Sequence, residues 1–405
     1  MRVLHVQDHT IPEFSGYAFR SRYVVEHQRR LGIDAEVLSS ARHRRFGELT
    51  EELDGIRFHR TPWPVGLWNR LQLKIPFWRE RVLTAAMVRR ILDVARDFKP
   101  QVLHAHSPFF NGQAALRAGR ALGVPVVYEI RAFWEDDAVD KGKFSEGSFV
   151  YRQVRRLETN VCKNADHVVT ICGGLKDDLI GRGIPGDKIT VVSNGVDMER
   201  FQPVETDAEL AQQLGIDGNV VVGFVGSFFH YEGLPLLVEA AAKLRDSHPQ
   251  LRVLLVGGGE DEDRTRAKAK ELGVEDLVIF TGRVPHADVA RYYSLIEVLV
   301  YPRLSKRITE LVTALKPLEA FAMGKGVIGS DVGGMKELLV DCDAGRMFVA
   351  GSVDALTDAL VQWVETPQEE RAREREAARD AVARRRTWEG QVSRIVPVYA
   401  ALTGA

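Results

Sequence analysis

The chain has 405 residues, 45% of them hydrophobic and 27% charged, with a formal net charge of -1. That length exceeds one ordinary core and suits two domains of roughly 100 to 200 residues each. The near-neutral balance argues against disorder and against nucleic acid as a partner.

Three cysteines, Cys162, Cys172 and Cys342, form no CxxC pair and stand apart from any histidine cluster, so neither a zinc site nor a disulfide framework is expected. A reducing compartment is the simpler reading. The N-terminal stretch MRVLHVQDHTIPEF runs into a strand pattern with no leader-like composition, and no apolar run approaches the roughly 18 residues that span a bilayer. The expectation is a cytoplasmic protein, with attachment to the inner face of the membrane left open.

In chain order, short apolar runs alternate with longer amphipathic segments, the pattern of strands and crossover helices around parallel sheets. The first half offers RVLHV (2–6), AEVLS (35–39), VLHAH (102–106), VPVVYEI (124–130), HVVTIC (167–172) and ITVVS (189–193). The second offers VVVGFVGS (220–227), LRVLLVGG (251–258), LVIFTG (277–282), VLVYP (298–302) and GVIGSD (326–331). Between the halves, SNGVDMERFQPVETD (193–207) contains the turn signal Asn194-Gly195 and loses the hydrophobic period. The pattern predicts an α/β chain of two Rossmann-like doubly wound domains, 1–198 and 199–385, facing each other across a cleft. A C-terminal helical segment, 386–405, returns to the first domain. The charge-laced stretch 367–390 reads as a solvated helix surface.

Two glycine-containing loops follow strands and open helices: SGYAFR (15–20) and VGSFFHYEG (225–233). Such junctions present unpaired backbone N–H groups to an anion, although glycine also serves turns that bind nothing. GGGEDEDR (257–264) lacks GxGxxG spacing, and its four acids would repel a pyrophosphate, which demotes a dinucleotide role. The loop YPRLSKRITEL carries Arg303, Lys306 and Arg307, whose charge suits phosphate oxygens. Lys316 and Pro317 mark a helix start, and Glu319 lies just inside it, placed to accept two hydrogen bonds from a diol such as ribose.

Together the basic loop, TELVTALKPLEAFAMGKGVIGSDVGGMKELL and the later Gly345-Arg346 resemble the donor half of the retaining family 4 glycosyltransferases, which have the GT-B fold. DHTIPEFSGYAFRSRYVVEHQRRLG, VLHAHSPFFNG, SNGVDMERF and FTGRVPHADVARYYSLIEVLVYP extend the resemblance over nearly the whole chain. The wording is similar to a bacterial exopolysaccharide subgroup associated with exosortase systems. The resemblance implies a nucleotide-diphosphate sugar as substrate, no cofactor, no metal, and a glycan or lipid-linked acceptor, with peripheral membrane contact.

In that family the second glutamate of a Glu, seven residues, Glu motif binds the donor ribose, and Glu319 matches it. The first contacts the sugar; strict spacing falls on Leu311, so Glu310 carries over displaced by one position. The family holds the diphosphate with an Arg and a Lys, where this chain has Ser227 and Glu232 in GSFFHYEG. The resemblance therefore passes that charge to Arg303, Arg307 and Lys316, with Gly16, Gly226, Ser227 and Arg283 as further donor-binding residues. A family histidine near the donor sugar is replaced by Arg131, able to bind a phosphate or an acidic acceptor but unsuited as a base. His106, at the end of VLHAH, is read either as a site residue or as a hydrogen-bonded structural histidine; His104 is read as structural. The catalytic set is then Glu310, Arg131 and His106.

Glu310 and Glu319 do not read as a hydrolytic acid/base pair, because one is committed to ribose. The resemblance implies retaining transfer, in which a phosphate oxygen takes the acceptor proton and the protein positions and stabilises charge. A sugar-nucleotide epimerase of the same fold and a silent nucleotide-sugar-binding subunit are the alternatives. PWPVGLWNRLQLKIPFWRERV (62–82) mixes Trp63, Trp68, Phe77 and Trp78 with arginine and lysine, which suits a membrane interface or an ordinary connection packed on the core.

Overall fold

The computed structural model describes residues 1–13, 15–64, 76–285 and 288–404, so Trp68, Arg70 and Lys74 of the aromatic and basic stretch lie outside the described residues. Contacts divide the chain into Met1–Asn194 with Trp388–Ala405, and Gly195–Thr387.

The first unit is built on an eight-stranded sheet in the order β3-β4-β2-β1-β5-β6-β7-β8. Its strands are β1 (Arg2–Gln7), β2 (Asp34–Ser39), β3 (Thr50–Leu53), β4 (Ile56–Arg60), β5 (Val102–His106), β6 (Val126–Ile130), β7 (His167–Thr170) and β8 (Ile189–Val191). All neighbours run parallel except β3 and β4. β5 and β6 are buried along their whole length, as central parallel strands covered on both faces must be. The order reverses between β1 and β5, where ligands of such sheets bind beyond the carboxyl ends. The helix Gly16–Arg30 starts there, after β1.

The hairpin of β3 and β4 is absent from the strand runs read in the sequence, because TEEL and IRFHR are short and largely polar. Its turn signal, Asp54-Gly55, was present: both residues take positive φ, 51° and 73°, as a tight hairpin requires. The terminal segment packs on this unit. Trp388 stacks on Tyr23 with ring centroids 5.1 Å apart, and the Tyr399 hydroxyl reaches the sheet.

The second unit holds a six-stranded, all-parallel sheet in the order β11-β10-β9-β12-β13-β14. These are β9 (Val220–Ser227), β10 (Leu251–Gly258), β11 (Val278–Gly282), β12 (Val298–Tyr301), β13 (Gly326–Ser330) and β14 (Arg346–Phe348). β14 escaped the sequence reading because three residues carry no period. The sheet reverses between β9 and β12, which brings the loops after both strands together. Among the described residues, no helix is long and apolar enough to cross a membrane.

Candidate functional site

The loops after β9 and β12 form one cluster in the second unit. After β9 the chain passes through Phe228 and a 3-10 turn, His230–Glu232, then Gly233 at φ +68°. A Cβ on Gly233 would lie 2.1 Å from the Pro302 carbonyl oxygen, so the two loops touch backbone to backbone. The Leu304 N–H donates to the Tyr231 carbonyl at 2.9 Å and closes the same seam.

That seam puts Glu232 among cations. Its carboxylate is 1% exposed and accepts from Arg303 Nε at 3.0 Å, from Arg303 Nη2 at 3.2 Å and from Lys316 Nζ at 2.9 Å. Burial alone would push the Glu232 carboxyl up; Arg303 and Lys316 outweigh it and hold it down to about 2. Burial pulls the Lys316 ammonium below its ordinary range, and Glu232 opposes that shift. Two cations around one carboxylate leave a net charge of about +1, and Lys316, at 23% side-chain exposure, carries it to the surface.

Gly226 makes the path for that lysine. It sits at φ +145°, and a Cβ there would meet Lys316 Cε at 2.5 Å and Nζ at 2.7 Å. The ammonium also lies 4.2 Å from the centroid of the Phe224 ring, a cation–π contact beneath it. Three residues beyond Lys316, in the first turn of the helix Lys316–Ala322, stands Glu319. Its half-buried carboxyl accepts no hydrogen bond among the described residues. Burial pushes it up to about 7, against the pull of Lys316 and Arg200. It is an acceptor without a donor, one helical turn from an ammonium.

Other expected donor residues are placed differently. Ser227 is exposed at the end of β9. Arg283 is exposed after β11, with its Cγ 3.6 Å from where a Gly258 Cβ would stand. Arg307 opens the short helix Arg307–Leu311, half-buried. Glu310 has a structural role in the unliganded fold, since its Oε1 accepts from Ser305 Oγ at 2.6 Å and its Oε2 accepts from the Gly333 N–H at 2.7 Å. It thereby caps the helix Gly333–Cys342, satisfying one of the N–H groups that a helix start leaves unpaired.

In the first unit, Gly16 is exposed at the first position of its helix, and a Cβ there would meet nothing within 4 Å. The fold itself makes no demand for glycine. Arg131 and His106, expected in the catalytic set, are both buried in the sheet's polar core and engaged by its other residues. His106 has no exposed surface and Arg131 has 6%. The Arg131 guanidinium is spent on Glu129 Oε1 at 2.7 Å, the Tyr17 carbonyl, Ser21 Oγ and His106 Nδ1.

Glu129, inside the apolar run of β6, organises that core. Arg20 Nε reaches its Oε1 at 3.0 Å, and the pair of arginines holds the carboxyl well below its usual range although burial alone would raise it. Arginine can only donate, so the whole chain of bonds has one polarity. Arg131 Nη2 donates to His106 Nδ1, so His106 Nε2 carries a proton and donates to His5 Nδ1 at 2.8 Å. His5 Nε2 donates to Gln28 Oε1 at 2.8 Å, Gln28 Nε2 to the Tyr399 oxygen at 3.0 Å, and the Tyr399 hydroxyl to His104 Nδ1 at 2.5 Å. His104 Nε2 then points its proton toward Glu129 Oε2, 3.6 Å away. The three histidines stand close enough to surround an ion, but every ring lone pair is already used. Burial pulls His5 down to about 4 and His106 to about 3.

Sequence reasoning noted Glu232 only as a missing lysine and did not identify Glu129. A charged residue inside the apolar run VVYEI was the available signal, since a buried carboxylate requires partners.

Comparison with known proteins agrees with this architecture. Residues 15–195 match the glycosyl transferase 4-like domain family, and residues 206–381 match the glycosyl transferases group 1 family. The chain is 28% identical over 405 residues to a GDP-mannose-dependent alpha-mannosyltransferase of Mycolicibacterium smegmatis, covering 100% of this chain and 98% of that one. It is 26% identical to a D-inositol 3-phosphate glycosyltransferase of Corynebacterium urealyticum, covering 99% and 96%. Among solved structures, sucrose-phosphate synthase from Thermosynechococcus elongatus superimposes with a TM-score of 0.76 at 20% identity, covering all of both chains. Anabaena Alr3699/HepE in complex with UDP also gives 0.76, at 18% identity, covering 99% and 100%. The two Rossmann-like domains are those of the GT-B fold, the first half of the chain matching the glycosyl transferase 4-like family and the second half the glycosyl transferases group 1 family.

Proposed function

We propose that this protein transfers a sugar, with retention, from a UDP- or GDP-sugar to a glycan or lipid-linked acceptor in exopolysaccharide or cell-surface glycan synthesis. The observation that carries the reading is the pairing of a carboxyl without a hydrogen-bond donor, Glu319, with the partly exposed ammonium of Lys316 one helical turn away. Ionised Glu319 accepts both hydroxyls of a ribose; Lys316 meets the diphosphate. Relatives named for GDP-mannose and a neighbour holding UDP support a nucleotide-linked donor.

In this reading Glu232 substitutes for nothing in the ligand; it holds Arg303 and Lys316 in place. A flexible lysine fixed at 2.9 Å by a buried carboxylate has already lost the rotamer freedom that binding would otherwise cost. The cations stabilise the diphosphate as it leaves, and one of its oxygens takes the acceptor proton. No metal or cofactor enters the proposal, because fixed side-chain charge does that work. Glu310 acts by positioning Gly333 and Gly334 beside the donor loop, and its contact with the sugar is secondary to that cap.

The test is to incubate the full chain with a panel of UDP- and GDP-sugars, with and without a membrane lipid extract, and to measure free nucleotide and the anomeric configuration of the product. Lipid-dependent release with a retained anomer supports the proposal. Release of an altered sugar without acceptor favours an epimerase. Binding without turnover under every condition favours a silent binding subunit.

A further inference from the structure

The helix Phe149–Asn164 of the first unit has a face that nothing in the sugar-transfer chemistry uses. Its outward stripe is Phe149, Arg152, Arg156, Asn160 and Lys163, with Val150 beside the first turn. Phe149 is 66% exposed and Val150 43%, so the first turn of the helix shows two adjacent apolar side chains to solvent.

The charges on this face lack counter-charges. Arg152 bonds the neutral Gly147 carbonyl at 2.5 Å. Arg156 and Lys163 form no side-chain ion pair among the described residues, and the Lys188 ammonium adds to the group by resting on the Lys163 carbonyl at 2.8 Å. The helix has one carboxyl, Glu158, and it points inward to the Tyr128 hydroxyl. Burial pushes Glu158 up to about 8, so it is mostly neutral at pH 7 and offsets none of the outer charge. The buried arginine side chains of this unit, such as those of Arg20, Arg60 and Arg182, are by contrast ion-paired. The chain's net charge of -1 therefore conceals a local basic surface.

Topology gives that surface a direction. The helix connects the parallel strands β6 and β7, so it runs back against them and begins on the carboxyl side of the sheet. Its apolar end therefore lies on the edge where ligands of such a sheet bind, with the basic stripe trailing along about 24 Å of helix. An exposed aromatic and aliphatic tip beside unpaired cations matches a membrane interface, where the apolar groups enter the headgroup boundary and the cations meet anionic lipid. Nucleic acid would be met by the charges alone and would leave Phe149 and Val150 without purpose.

We infer that Phe149, Val150, Arg152, Arg156 and Lys163 form the docking surface through which this protein lies on an anionic lipid bilayer. The inference deepens the proposed use of a lipid-linked acceptor and places the membrane contact on this helix, apart from the aromatic stretch 62–82.

Vesicle co-sedimentation of the full chain tests it, without any sugar nucleotide, so that its outcome is separate from that of the transfer reading. The parent protein should bind phosphatidylcholine vesicles containing one quarter phosphatidylglycerol, and release as salt rises. The triple variant R152E/R156E/K163E should bind about a hundredfold more weakly, on about a tenfold or lesser loss per charge. The variant F149S/V150S should lose binding while keeping the salt dependence of what remains. All five side chains are exposed or at the helix surface, and unchanged thermal melting verifies the fold. Equal parent binding to neutral vesicles, no parent binding to either, or a triple variant that binds like the parent overturns the inference. Tighter binding to a single-stranded RNA oligonucleotide than to the anionic vesicles at equal salt also overturns it, in favour of a nucleic-acid surface.

Discussion

Each unit of this protein buries one carboxylate between two cations, and the two arrangements differ in what they leave unused. Around Glu129, the side chains of Arg20 and Arg131 are 3% and 7% exposed, and the bonds continue from Arg131 through His106, His5 and Gln28 to Tyr399 and on to His104. Around Glu232, Arg303 is buried, but Lys316 is 23% exposed and stands next to an unbonded carboxyl. The same charge count thus gives a closed structural core in one place and, in the other, an open cluster that we propose as the donor site. Residue type alone does not separate the two; spare hydrogen-bonding capacity at the surface does.

The largest expected effect is on the closed network. His5, His104 and His106 have folded-state pKa values below the unfolded value of about 6.5, so the unfolded chain binds more protons as pH falls through 6.5. Their contribution is complete above that pH and is lost below it, toward about 4 and about 3 for His5 and His106. At pH 5 the loss should be on the order of 5 kcal/mol for the three together, read by urea unfolding of the first unit. Replacing His104 and His106 with glutamine should flatten this dependence.

Next in size, Glu129→Gln should destabilise the first unit by about 3 to 5 kcal/mol, since it leaves two arginines buried with their charge unmatched. Glu232→Gln should cost the second unit less, about 1 to 3 kcal/mol, because Lys316 can turn to solvent. Comparable losses in urea titrations of the two variants would erase the distinction between closed and open.

Similar in size, but felt in binding rather than stability, is the effect at Glu319. Its carboxyl, held near 7, accepts two hydrogen bonds only when ionised, so nucleoside and nucleotide affinity should both rise as pH passes upward through about 7. Glu319→Gln should weaken both ligands by about 1.5 to 3 kcal/mol at pH 8 and abolish the pH dependence. Calorimetry at pH 6 and 8 reads both effects. The smallest effect is at Gly16: a Cβ placed there would meet nothing within 4 Å, so Gly16→Ala should change stability by about 0.5 kcal/mol or less. A loss of transfer without loss of stability would then mark a ligand approaching that backbone.

Much of this architecture could be read from the sequence. The apolar runs gave both parallel sheets because buried central strands are written as continuous Val, Ile and Leu. The hairpin Thr50–Arg60 was missed although Asp54-Gly55 announces it, because its strands are too polar and short to register as a period. At the proposed site, motif order singled out Lys316, Arg303 and Glu319, and the fold places Lys316 and Arg303 around one carboxylate with Glu319 one helical turn from Lys316. Their relation to Glu232 was not legible, since the partners lie 84 and 71 residues from it in the chain and meet only where β9 and β12 become neighbours. His106 and Arg131 were drawn into the catalytic set by their position at strand ends. The polar core that encloses them needs Tyr399 and Gln28, which no local pattern connects to β5.

The most direct test of the open site is a calorimetric titration of GDP, UDP and the corresponding nucleosides into the parent protein and Lys316→Ala. If Lys316 meets the diphosphate, the variant should lose about 1.5 to 3 kcal/mol of affinity for at least one nucleoside diphosphate and almost none for its nucleoside. Equal loss for both, or an unchanged affinity for the diphosphates, would contradict the account.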